Sequence, residues 1–80
     1  MPELAVEIKS PDDSNIGLRK KAAYYLANGS RMVWIVYPDK SYVEIYQSDA
    51  DIQFLTIEDI IDGGDVLPGF TLSVRDVFNV

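Results

Sequence analysis

Met32-Val33-Trp34-Ile35-Val36-Tyr37, or MVWIVY, is apolar at every position. A strand with one solvated face alternates apolar and polar residues, so an unbroken apolar run of this length predicts a strand covered on both faces, the middle of a sheet. The neighbouring segments are read outward from it. Pro38-Asp39-Lys40 makes a turn, and from Ser41 to Gln47 the pattern alternates Tyr42, Glu44 and Tyr46 against Val43 and Ile45, as an antiparallel hairpin partner does.

Upstream, Leu4, Val6 and Ile8 alternate with Glu3, Ala5, Glu7 and Lys9, a half-buried strand that Ser10-Pro11 ends. Pro11-Asp12-Asp13-Ser14 is dense in turn and N-cap residues. From Asn15 the spacing of Leu18, Ala22, Tyr25 and Leu26 is that of one helical face, and Asn28-Gly29 supplies the stop. A helix between two strands predicts parallel neighbours joined by a right-handed crossover. The expected fold class is therefore α/β, a small mixed sheet of β-α-β-β order with one main helix, in a single domain over residues 1–80. Towards the end, Ile52 to Ile57 reads as a further extended segment, Asp62-Gly63-Gly64-Asp65 and Leu67-Pro68-Gly69-Phe70 as turns, and Ser73 with Asp76 as a capping box for a short last helix. One helix leaves a face of the central strand to be covered by the tail, by a second copy, or by a segment preceding Met1.

Composition narrows the chemistry. There are no cysteines and no histidines, which removes disulfide frameworks, thiolate zinc sites and Ser-His-Asp machinery. No apolar run approaches the roughly 20 residues of a membrane span, so a cytoplasmic chain without membrane partners is expected. The net charge is −6, but residues 1–40 carry six basic and five acidic groups while residues 41–80 carry one and eight. That asymmetry leaves a basic edge able to meet phosphate; Arg19 and Lys20, on the solvated side of the helix, suit such contacts.

Glu7 and Lys9 stand at i and i+2 on one strand face, about 7 Å apart. The face opposite, with Leu4, Val6 and Ile8, is expected to receive the helix. A carboxylate beside an ammonium suits phosphodiester hydrolysis, where the acid holds a divalent metal and the lysine orients water or stabilises developing charge; the same pair is also an ordinary exposed salt bridge. On the helix, Lys21 lies at the border of the buried sector, within reach of the sheet, as a snorkelling lysine also would.

The stretches LAVEIKSPDDS (4–14), LRKKAAYYLANGSRMVWIVYPDKSYVEIYQ (18–47) and DGGDVLPGF (62–70) resemble, in that order, the Uma-type restriction endonucleases, a bacterial branch of the PD-(D/E)xK nuclease superfamily. The resemblance implies a restriction-endonuclease-like core and Mg²⁺-dependent cleavage of a nucleic-acid backbone, with DNA as partner. It implies that Glu7 is the metal-binding acid and Lys9 the lysine of the E-x-K motif, or that Lys21 of Lys-Ala-Ala-Tyr-Tyr-Leu takes the lysine's role, as in many relatives. The superfamily pattern also has an aspartate on an earlier strand. Only Met1 to Glu3 precede the strand here, so residues 1–80 read as the C-terminal part of such a domain, truncated and inactive alone. Glu3 lies about 13 Å from Glu7 along the strand, too far to share one ion, and Asp12 and Asp13 read as turn and cap residues. The rival reading is a non-catalytic remnant that serves self-association or protein interaction; either way a homo-oligomer or a missing N-terminal portion is expected. Trp34 reads as core, and the tyrosines flanking Glu44 as cover for the sheet or an interface. Asp62-Gly63-Gly64-Asp65 has too few ligands for a calcium loop.

Overall fold

The computed structural model describes residues 1–79. Strand β1 (Leu4–Ile8) leads through helix α1 (Asn15–Ala27) to β2 (Met32–Tyr37), then through a single 3₁₀ turn (Pro38–Lys40) to β3 (Tyr42–Gln47) and β4 (Gln53–Leu55). These strands form one sheet in the order β1-β2-β3-β4. The β1/β2 pair is parallel, with Val6 beside Trp34 and Glu7 beside Ile35, and the two later pairs are antiparallel. A separate hairpin, β5 (Ile60–Asp62) and β6 (Thr71–Ser73), runs into the short helix α2 (Val74–Phe78).

Every residue of β2 is buried, as its apolar run requires. Val33, Ile35 and Tyr37 face α1 and pack with Leu18, Ala22 and Tyr46. Met32, Trp34 and Val36 face the other way and pack with Val43, Ile45, Ile61 and Val74, with Leu72, Val77 and Phe78 around them. The tail therefore covers the second face of the central strand. Complete burial of an aliphatic side chain such as Val33 or Ile35 contributes roughly 1.5–3 kcal/mol, so β2 anchors both layers.

Local chemistry sets the ends of the elements. Ser14 is the N-cap of α1, its hydroxyl accepting from the Gly17 N–H at 2.9 Å. At the other end, Gly29 adopts φ 111°, a left-handed backbone that favours glycine, while the Asn28 and Ser30 amides close onto carbonyls of the last turn. In the β5–β6 loop, a Cβ at Gly63 would lie 2.5 Å from the Leu67 carbonyl oxygen, so only glycine fits there. Ser73 precedes α2 without a side-chain capping bond, so the expected capping box does not form. Among the described residues, no helix is long and apolar enough to cross a membrane.

One expectation is reversed. Helix α1 packs on the face carrying Ala5 and Glu7, not on the face of Leu4, Val6 and Ile8. Alternation groups residues by face but does not say which layer lies on it. The small Ala5 leaves room for Tyr25 and Leu26 of the helix, while Leu4 joins the tail-side core. Val6 and Ile8 stay 46% and 64% exposed, because the β5–β6 layer does not extend over them.

Candidate active site

Reversal of the face places Glu7 under the helix. Lys21 and Tyr25 are separated by one helical turn and so share a face of α1. Both reach the same carboxylate oxygen: Lys21 Nζ lies 2.9 Å from Glu7 Oε1, and the Tyr25 hydroxyl donates to it at 3.0 Å. Hydrogen bonding to Glu7 raises the Lys21 pKa above its ordinary value and raises that of the Tyr25 hydroxyl as well. Lys21 is thus held as the ammonium at neutral pH. The Glu7 side chain remains 21% exposed, open to a ligand along the edge of the sheet.

Lys9 is placed differently. Its ammonium approaches the carbonyl of Ser10 at 3.5 Å. Asp13 acts as the turn residue it was expected to be, accepting from the amide and hydroxyl of Ser10 at 2.9 and 3.1 Å. The backbone hydrogen bond from Ser10 is the main reason its carboxyl lies below the usual range, with the charges of Lys21 and Lys9 adding to it. Of the three candidate residues, the fold brings Glu7 and Lys21 into contact, and leaves Lys9 at the end of the strand.

A second carboxylate on the same sheet face has no counterpart in the sequence expectations. Glu44 is 0% exposed. It accepts hydrogen bonds from Arg19 at 2.5 and 3.3 Å, from Tyr37 at 2.9 Å, from Tyr46 at 2.7 Å and from Tyr42. Burial pushes its carboxyl up, but bonds from Arg19, Tyr42, Tyr46 and Tyr37 outweigh that and hold it down at about 2. Arg19 is solvated as expected, its side chain 45% exposed, but its guanidinium is committed to this ion pair rather than free for phosphate. The signal was present: Tyr42-x-Glu44-x-Tyr46 alternation puts three polar tips on one face, and Tyr37 lies opposite Tyr42 in the hairpin. With each oxygen engaged and no solvent access, Glu44 anchors α1 to β3 and is not a ligand for anything diffusible.

Metal chemistry makes a demand that these residues do not meet by themselves. Among the described residues, no group of three or more His, Cys, Asp or Glu side chains converges as a metal site would. Glu7 supplies one carboxylate, and its Oε1 already meets the Lys21 ammonium. A hard divalent cation that keeps an octahedral oxygen shell is usually held by more than a single such group.

Comparison with known proteins identifies the fold and the family. A crystal structure titled as a putative nuclease belonging to DUF820, from Anabaena variabilis, superposes with a TM-score of 0.87 at 25% sequence identity. The match covers 98% of this chain and 44% of that one, so the present chain spans less than half the length of that protein. No curated protein matches the chain. The family model Uma2, described as "Putative restriction endonuclease", matches residues 1–75, and by that extent of match the chain belongs to the Uma2 family, with a restriction-endonuclease-like nuclease fold.

Proposed function

We propose that this chain is the C-terminal portion of a metal-dependent nuclease domain that hydrolyses phosphodiester bonds in DNA, with Mg²⁺ as the metal, and that it does not cleave unaided. The observation that carries this reading is the Lys21–Glu7 contact at 2.9 Å on the open edge of the sheet, within a family of restriction-endonuclease type. Lys21 is the catalytic lysine in this reading. Its ammonium, kept charged by Glu7, would stabilise negative charge on a scissile phosphate. Tyr25 fixes the Glu7 carboxylate from the other side. Lys9, turned to the Ser10 carbonyl, has no part in the Glu7 contact. The further acids of a metal site would come from outside these residues, since no three acids converge among the described ones.

The test is a graft. Residues 1–79 replace the matching segment of the longer Anabaena nuclease, and Mg²⁺-dependent nicking of supercoiled plasmid is measured. The expected outcome is cleavage that falls by about 10²-fold or more in Glu7→Ala and Lys21→Ala and persists in Lys9→Ala. A folded graft whose nicking is indifferent to Glu7 and Lys21 sinks the assignment.

A second reading is favoured by the exposure of Val6 and Ile8. On it the chain is a non-catalytic module for self-association, and the graft does not restore cleavage while the free chain still oligomerises.

A further inference from the structure

Glu7 and Glu44 stand in one row across the sheet. Glu7 lies beside Ile35 in the parallel β1/β2 pair, and Ile35 lies beside Glu44 in the antiparallel β2/β3 pair. The row therefore runs carboxylate, isoleucine, carboxylate, with the two acids two strand spacings apart, roughly 10 Å. Ile35 is wholly buried in the cluster that seats α1.

The helix meets this row with one basic residue on each side. At about 100° per residue, Arg19 and Lys21 lie about 160° apart around α1, flanking the stripe that carries Leu18 and Ala22. Arg19 reaches Glu44 on β3 and Lys21 reaches Glu7 on β1, so the helix straddles β2. Leu18 and Ala22 are the buried residues of α1, with Tyr25 and Leu26 partly buried beside them. This narrow apolar contact sets the height of the helix above the sheet, but being non-directional it does little to stop a roll about the helix axis. A roll of about 20° moves a side chain at the outer radius of a helix by about 2 Å, enough to break the 2.9 Å Lys21–Glu7 contact.

The two flanking ties are unequal. Arg19 grips both oxygens of Glu44, through Nε at 3.3 Å and Nη2 at 2.5 Å, and Glu44 is itself held by Tyr37, Tyr42 and Tyr46. A forked grip on an immobilised acceptor fixes orientation as well as distance. Lys21 makes a single-point contact from a half-exposed stem, whose rotamer freedom favours solvent unless the helix delivers it to Glu7.

We propose that Arg19 is a positioning residue: its grip on Glu44 sets the rotation of α1 over β2 and so holds Lys21 on Glu7. The proposal rests on the reading of Lys21 as the catalytic lysine, and Arg19 acts through the helix without touching substrate. The tie lies wholly between α1 and β3, within the described residues.

The Lys21–Glu7 contact can be read without cleavage. A water-soluble carbodiimide joins an amine to a carboxylate in direct contact. Peptide mass mapping of the treated intact chain measures the Lys21–Glu7 amide, with circular dichroism to verify folding. Arg19→Met and Glu44→Gln are each expected to lower its yield about tenfold, and the double variant no further than either alone, because both cut one tie. Lys20→Met, which removes a charge from the outward side of the same helix, is expected to leave the yield unchanged. In the grafted nuclease, Arg19→Met is expected to lower kcat about tenfold or more with KM little changed. A residue that only stabilises the fold moves the unfolding midpoint and leaves both yield and kcat where they were. A folded Arg19→Met or Glu44→Gln chain that cross-links like the parent overturns the proposal, as does a parent in which no Lys21–Glu7 amide forms. So does nicking that depends on Lys21 and ignores Arg19→Met. Nicking that ignores Lys21 itself overturns the nuclease reading instead, and the cross-link then decides the positioning.

Discussion

Glu7 and Glu44 stand on the same face of one sheet, beneath one helix, each paired with a basic residue of that helix. Arg19 and Lys21 are two positions apart in α1, yet their carboxylates differ in kind. Glu44 is wholly buried and takes bonds from Arg19 and three tyrosines. Glu7 keeps a fifth of its side chain in solvent and takes one tyrosine and one lysine. The difference teaches that depth and donor count, more than the presence of an ion pair, decide a carboxylate's role. The saturated site fixes the helix to the sheet, and the open one keeps a carboxylate that solvent reaches. Clamping Arg19 onto β3 in turn sets the position of α1, and with it the meeting of Lys21 and Glu7.

The largest effect expected from breaking this contrast is Glu44→Ala, which leaves Arg19 without its partner and three tyrosine hydroxyls without their acceptor. It should cost roughly 3–5 kcal/mol in urea denaturation, a large share of the stability of a domain this small. Glu7→Ala should leave the unfolding midpoint close to the parent's; equal losses at both sites would break the comparison. Acid gives the same contrast without mutation. The Glu44 carboxyl lies at about 2 in the folded chain against an ordinary 4.5. Because the folded value is the lower one, its contribution is present above pH 4.5 and disappears as pH falls towards 2. Of order 3 kcal/mol should be lost over that window, and Glu44→Gln should flatten the dependence of stability on pH there.

Smaller effects sharpen the comparison. Tyr46→Phe withdraws one buried donor from Glu44 and should cost roughly 1.5–3 kcal/mol. Tyr25→Phe, at the open site, should barely move the midpoint. Tyr46 should ionise only near pH 12, because burial and then its bond to Glu44 raise it, and Glu44→Gln should bring it down. The smallest expected change is spectroscopic. Glu7→Gln should lower the Tyr25 hydroxyl pKa back towards 10.0, read from its ring carbon signals in an NMR titration. No movement would mean that the Glu7–Tyr25 bond is absent in solution.

Much of the architecture follows from the sequence alone. The apolar run at β2, the alternation in β1 and β3, the Ser14 cap and the Asn28-Gly29 stop each depend on neighbours along the chain, and each appears where the pattern puts it. The candidate residues were legible too, Glu7 and Lys9 by their spacing and Lys21 by its place at the border of the helix face and by the family resemblance, but the sequence left open which lysine meets Glu7. Tertiary structure alone decided the rest. Period-two alternation assigns residues to faces without naming the layer that covers each face, so α1 proved to lie over Ala5 and Glu7. Long side chains end several ångströms from their backbones, so packing chose Lys21 over Lys9 as the partner of Glu7 and turned the guanidinium of the still exposed Arg19 onto Glu44. The same packing left Val6 and Ile8 uncovered at an open strand edge, a property of where layers stop that no local pattern encodes.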